Sequence, residues 1–271
     1  MKKTFYQSIF KMKNTLINFL RLKKLEFFVL ILIILISIYR SPFIFTEGRF
    51  VSEEATHYFL FALKNSFIEN FLYYDAYSGY YNITANIFGK IATFLPLELA
   101  PLSTVYGSFL IILNLYIFSL FYNSYLFKNL KIKIIGTLIL FLSPPLVPEV
   151  WLNSINSQVY LCLTSILILF LIEKKNEKYL HAHFSLFFAS LSGVYSCTLI
   201  PLFFIKYFYK KNKFNLINLI ILSFGTLIQI LLILFSRYKN YLLESKFELT
   251  FDYQLIVLFI YNNLIKPIFG R

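Results

Sequence analysis

Acid is scarce in this chain: only 13 of its 271 residues are Asp or Glu, and charged residues of all kinds make up 14%. A soluble domain usually carries about 25% charged residues, so a water-facing globule is excluded as the main organisation. Cysteine is nearly absent as well. Cys162 and Cys197 both lie inside apolar stretches, where small packing residues belong, and their spacing fits no disulfide or zinc framework. Histidine is equally sparse. His181 and His183 form an isolated HAH with no partner cluster, which reads as a wet boundary pair and not as a metal site.

What is present is apolar and aromatic. Hydrophobic residues reach 58%, with 33 Phe and 21 Tyr, a supply of rings suited to lipid-headgroup depth. Residues 25–45 form an apolar run of about the 20 residues needed to span a bilayer. Its core is too long, and Ser41-Pro42 too unlike an A-x-A site, for a cleaved signal peptide, so a retained first span is expected. Further apolar runs follow near 103–127, 134–147, 158–172, 184–193, 195–207, 214–236 and 254–269.

The formal net charge of +13 would suit nucleic acid if it formed one patch. It does not. Lys2, Lys3, Lys11, Lys13, Arg21, Lys23 and Lys24 precede the first span; Lys128/Lys131/Lys133, Lys174/Lys175/Lys178, Lys206/Lys210/Lys211/Lys213 and Lys266/Arg271 fill alternate gaps. With residues 1–24 as a basic cytoplasmic segment, all these gaps face one side, with Glu26, Glu173 and Glu177 as their only acids. The opposite side holds more acids than bases. This is the positive-inside pattern, and it excludes nucleic acid as a partner. The expected fold is all-α: a polytopic transmembrane helix bundle over 25–271 with about eight passes. The 184–207 stretch is too short for two full crossings, so a short hairpin broken at Ser192-Gly193, with Pro201 a second break, is expected to face the interior.

Residues 46–102 form the large first outer loop. Residues 53–70 and 80–94 each place apolar side chains at helical spacing, which predicts two amphipathic interfacial helices. Ser52 followed by Glu53 and Glu54 reads as an N-cap with acid in the first turn. Glu69, Asp75 and Glu98 read as surface acids. A second polar cluster, PEVWLNSINSQVY, separates the third and fourth runs. On a helix Glu149, Asn153, Asn156 and Tyr160 share one face, with Trp151, the only tryptophan, as an interface anchor. That cluster reads either as a polar wall of a cavity or as a solvated loop.

The blocks EGRFVSEEATHYF, GYYNITANIFGKIA, LPLELAPL, EVWLNSINSQVYL and LSGVYSCTLIPLFF, over roughly residues 40–209, resemble a group of bacterial multi-spanning membrane proteins. The architecture of that group is similar to the GT-C superfamily, glycosyltransferases that use polyprenyl-phosphate-linked sugars. The resemblance implies an enzyme of the bacterial inner membrane, N-terminus cytoplasmic, acting at the outer face on a polyprenyl-phosphate-linked sugar. In such enzymes a large first outer loop carries an acidic catalytic motif. This chain has no Asp-Asp or Asp-x-Asp pair there; its acids are Glu47 and the adjacent Glu53-Glu54.

Transfer from a lipid phosphate to a hydroxyl needs a carboxylate to take the acceptor proton and cations or dipoles to hold the leaving phosphate. Glu47, Glu53 and Glu54 are the candidate bases or metal ligands, which leaves a divalent cation open as a cofactor. Arg40 and Arg49 are the candidate phosphate holders. Glu149, Asn153, Asn156 and Gln158 are the candidates to bind sugar hydroxyls or orient the base. Two other classes compete: a transporter or flippase of a lipid-linked glycan or small solute, and a non-catalytic assembly subunit of a larger membrane enzyme. Nearly charge-free span centres and the lack of an internal repeat count against the former, and the polar clusters against the latter. Solute uptake into vesicles, or copurification with a larger enzyme, would tell them apart.

Overall fold

The structure, a computed structural model, describes residues 23–76, 78–142, 151–173 and 179–238. Among the described residues every regular element is helical. The chain runs α1 (Lys24–Arg40), α2 (Pro42–Thr46), a π-helix (Glu54–Phe59), α3 (Leu60–Lys64), α4 (Phe67–Phe71) and α5 (Ile83–Ala92). It continues with α6 (Ala100–Phe121), α7 (Leu130–Leu142), α8 (Ser157–Leu169), α9 (Leu180–Leu191), a 3₁₀ turn (Ser196–Leu199), α10 (Ile200–Tyr209) and α11 (Lys213–Tyr238).

Helix α6 is the hub. Its 22 residues rise about 33 Å, close to the thickness of a bilayer core, and it packs against α1, α5, α7 and α8. Ile112, Leu115, Tyr116 and Phe118 of α6 are buried together with Phe141 of α7, Leu167 and Ile168 of α8 and Leu186 of α9. Polar residues within the bundle turn their bonds inward. Ser108 donates to Thr104 O at 2.7 Å and Ser165 to Leu161 O at 2.9 Å, so each of these two hydroxyls is paired within its own helix.

The long helices alternate in direction between two ends. One end is basic. There Ile172 N donates to Asn123 O, Tyr125 N donates to Phe170 O, and Glu173 pairs with Lys206 at 3.3 Å and Lys210 at 2.9 Å. The other end carries the first loop.

Among the described residues two helices, Ala100–Phe121 and Lys213–Ser236, are long and apolar enough to cross a membrane. On α11, Ile220, Phe224, Leu227, Leu231 and Leu234 are exposed, a continuous greasy stripe that water would disfavour. This is coarser than the expected eight passes. Helices α8 and α9 have 13 and 12 residues and rise only about 20 Å, short of a full span. The expected pass at 254–269 and most of the basic 1–24 segment lie outside the described residues, as do Lys174, Lys175, Lys178, Lys266 and Arg271.

The 184–207 stretch breaks where expected, but its second arm does not face the interior: in Ile200–Tyr209 only Phe203 is buried, and Leu202, Phe204, Ile205 and Phe208 are exposed. Helix α9 stops at Leu191, Gly193 turns with φ +86°, and Pro201 sits in the first turn of α10. The outer helices depart from expectation. The first is not continuous over 53–70: it breaks at Asn65, and Ser66 starts α4 with a capping box to Glu69. Glu69 lies at the surface as expected and also serves as a cap, and its hydrogen bonds to Ser66 lower its pKa. The second is shorter, Ile83–Ala92, capped by the Asn82 side chain.

A side chain of α11 locks the first loop onto the bundle. Gln229 is buried; its Oε1 accepts from Tyr81 N and its Nε2 donates to Tyr81 O, both at 2.9 Å. We expect Gln229→Leu to strand the Tyr81 N–H and cost about 1–3 kcal/mol, read as a lower thermal midpoint of the detergent-solubilised protein; an unchanged midpoint would show the clamp to be dispensable.

Candidate functional site

The first loop and the 151–158 segment meet through one carboxylate. After α2 the chain turns at Gly48 (φ +71°) and again at Ser52 (φ +50°). Ser52 is not the expected N-cap; a left-handed φ in a non-glycine residue is strained, and its hydroxyl makes no cap bond. Glu54 does the capping instead. Its Oε2 accepts from Val51 N at 2.9 Å, and its Oε1 accepts from both Ser154 N and Ser154 Oγ at 2.6 Å. Glu54 is 1% exposed. Across the junction Leu152 is also left-handed, with φ +56°, so both partners reach it through strained turns.

Neighbours reinforce the contact. Arg49 Nη2 donates to Trp151 O at 3.2 Å. Asn82 Nδ2 donates to Ile155 O at 3.2 Å, and the Thr84 hydroxyl lies 3.2 Å from Ser154 O. Burial pushes the Glu54 carboxyl up; the Ser154 and Val51 hydrogen bonds and the Arg49 charge pull it partly back, and the balance lies above the ordinary value.

Around this junction lies a polar rim. Glu53, half-exposed, precedes the π-helix. Tyr80 receives a bond from Gln158 Nε2 at 3.4 Å, and its own proton is held more tightly by burial and by the Glu53 and Asp75 carboxylates. Tyr58 is buried beside it, and its acidity is suppressed by burial first, then by Tyr80, Asp75, Tyr73 and Glu53. Gly193 closes the rim: a Cβ there would lie 1.8 Å from Gln158 Oε1, so the hairpin break lets the amide in.

Asp75 was expected at the surface and is 4% exposed. Its Oδ2 takes the Ser78 N–H and hydroxyl, and its Oδ1 lies 3.2 Å from His57 Nδ1. A cavity of about 320 Å³ opens beside them, lined by Thr56, His57, Lys64, Tyr73 and Asp75. The DAYSG run carries an Asx-turn signature that marks Asp75; no local signal pairs it with His57. A larger cavity of about 660 Å³, lined by Lys23, Phe27, Tyr122, Asn123 and Tyr179, lies at the basic end, away from the carboxylates.

The candidates separate as follows. Glu53, Glu54, Arg49, Asn153 and Gln158 come together at the loop end. Glu47 is exposed beyond the last turn of α2. Arg40 ends α1 and stacks over Phe141 and Trp151. Asn153 and Asn156 do not share a helical face, because α8 begins only at Ser157; Asn153 Oδ1 instead caps its own turn, accepting from Ile155 N and Asn156 N. Trp151, expected as an interface anchor, is buried. Glu149 lies outside the described residues. His181 bonds Tyr122 and Asn114, and His183 bonds Asn218. Both cysteines are free. Among the described residues no three His, Cys, Asp or Glu side chains form a metal-ligand set.

Comparison with known protein families, curated proteins and solved structures returns no match.

Because its folded pKa is raised, Glu54 binds its proton more tightly in the folded chain than in the unfolded one. Stability is then fullest below the ordinary carboxyl value of 4.5 and falls as pH climbs through the raised one. Glu54→Gln should flatten that slope in thermal melts between acid and neutral pH, and should lower the midpoint overall, since an amide cannot accept from Val51 and Ser154 at once. An unaltered slope would refute this reading.

Proposed function

We propose that the chain is a GT-C-like glycosyltransferase of a bacterial inner membrane. In this reading it is a polytopic protein of about eight passes with the N-terminus cytoplasmic, and it moves a sugar from a polyprenyl phosphate to an acceptor hydroxyl at the outer face. The observation that carries it is the Glu54–Ser154 junction, which gathers Glu53, Asp75, Tyr80 and Gln158 on one rim at the first-loop end of an apolar bundle.

The chemistry is a single displacement. The acceptor oxygen bonds to the sugar's anomeric carbon, the bond from that carbon to the phosphate oxygen breaks, and the phosphate leaves with the electron pair. Glu53 is the carboxylate placed to take the acceptor proton. It is half-exposed and flanked by aromatic hydroxyls, whereas the oxygens of Glu54 are engaged by Val51 and Ser154. Glu54 is thus a positioning residue. Arg40 and Arg49 supply the positive charge for the leaving phosphate, and Gln158 offers an unpaired buried amide oxygen to a sugar hydroxyl.

Membranes holding the protein should transfer sugar from a polyprenyl-phosphate donor. Glu53→Gln should cut the rate about 10²-fold or more without moving the thermal midpoint, while Glu54→Gln should lower both. Full transfer by Glu53→Gln would remove the base assignment, and no transfer from any lipid-linked donor would remove the enzyme reading.

A further inference from the structure

Four buried polar atoms near the end of α1 lack a hydrogen-bond partner: Arg40 Nη1, Tyr116 Oη, Trp151 Nε1 and Tyr160 Oη. All four can donate. The residues carrying the last three are at most 2% exposed. They also lie together. The Arg40 guanidinium sits 5.2 Å from the Phe141 ring centroid and 6.0 Å from that of Trp151. The Tyr116 ring stands edge-on to Phe141 at 6.1 Å, and Tyr116 is within electrostatic reach of both Tyr160 and Arg40.

Aromatic faces offset part of the cost of placing a guanidinium here, but an N–H···π contact is weaker than a bond to an oxygen acceptor. Among the described residues no carboxylate pairs with Arg40. A positive charge beside three further groups able to donate, with no carboxylate among them, complements an oxyanion. Arg49 steadies this nest from outside by holding Trp151 O.

We propose that the nest between α1, α6, α7 and α8 is a phosphate-binding site, entered from the first-loop end, with Arg40 as its charge and Tyr116, Trp151 and Tyr160 as its neutral donors. Phosphate suits it because a tetrahedral group offers oxygens in several directions at once. The site stands on these four donors; only the identity of the phosphate's tail, an isoprenoid lipid, rests on the transferase reading.

Trp151 is the only tryptophan, so it reports on its own site. Full-length protein in nanodiscs, with tryptophan excited selectively, should give a saturable emission change when titrated with a short-chain prenyl phosphate. Inorganic phosphate tests the headgroup alone. A response to both assigns the phosphate as the determinant, and a response to the prenyl compound alone assigns the lipid headgroup. Arg40→Gln should weaken binding about 100-fold, and Tyr116→Phe or Tyr160→Phe roughly tenfold each; the two near-isosteric tyrosine variants keep the test valid if Arg40→Gln does not fold. No saturable response, or equal affinity in all three variants, overturns the proposal. So does a response that emerges only in Glu149→Gln, since the chain's own acid would then fill the nest. Binding without sugar transfer would leave the nest and remove the transferase reading, while transfer by a chain that binds neither probe would do the reverse.

Discussion

The Glu54 carboxylate is the constraint on which the rest of the first-loop end depends. It collects a backbone N–H from its own turn and two donors from Ser154, a hundred residues later in the chain. A charge that deep is costly unless it is well hydrogen-bonded, and here three bonds occupy three of the carboxylate's four lone-pair sites. The consequence is positional. Where Glu54 goes, the π-helix follows, and with it Glu53, His57 and Tyr58. Where Ser154 goes, Trp151 and the start of α8 follow. The rim and the nest beneath it are two products of one buried contact.

The helical class was legible because apolar runs and alternating basic gaps are local signals. The hairpin break was legible for the same reason: Ser192-Gly193 and Pro201 are residues whose backbone preferences act where they stand. Pairings across the chain were not. Nothing in HYF says that His57 will meet Asp75, and nothing in NSI says that Ser154 will take a glutamate. Ser52 misled because a serine before two acids is the ordinary helix start. Here the carboxylate outcompeted the hydroxyl, and tertiary docking could stabilise a strained φ that propensity would forbid. Asn153 and Asn156 misled in another way. Helical spacing was assumed for residues whose own side chains turn the backbone instead.

The two ends of the bundle are built from different materials. At the basic end, backbone bridges between 123–125 and 170–172 and the Glu173–Lys206–Lys210 cluster tie helix ends together. At the loop end, amides and hydroxyls do the tying: Asn82, Thr84, Ser154, Ser157 and Gln229 share bonds at near-zero exposure. Lys90 at this end bonds neutral partners too, since its Nζ donates to two backbone carbonyls, Ala62 O and Asn65 O. Arg40 and Arg49 lie among the neutral donors of this end, beside the only tryptophan.

The Gln229–Tyr81 clamp has a consequence for how the chain is made. Its partners are 148 residues apart, and Gln229 sits on a helix whose neighbouring positions are greasy. When a ribosome has delivered everything up to α10, the backbone of Tyr81 still waits for its partner. The last described helix therefore arrives carrying one amide that lipid cannot satisfy and one site in the bundle that can. The polar lock favours one seat for helix α11, and the first loop, made early, gains its Tyr81–Gln229 bonds only when that helix is in place.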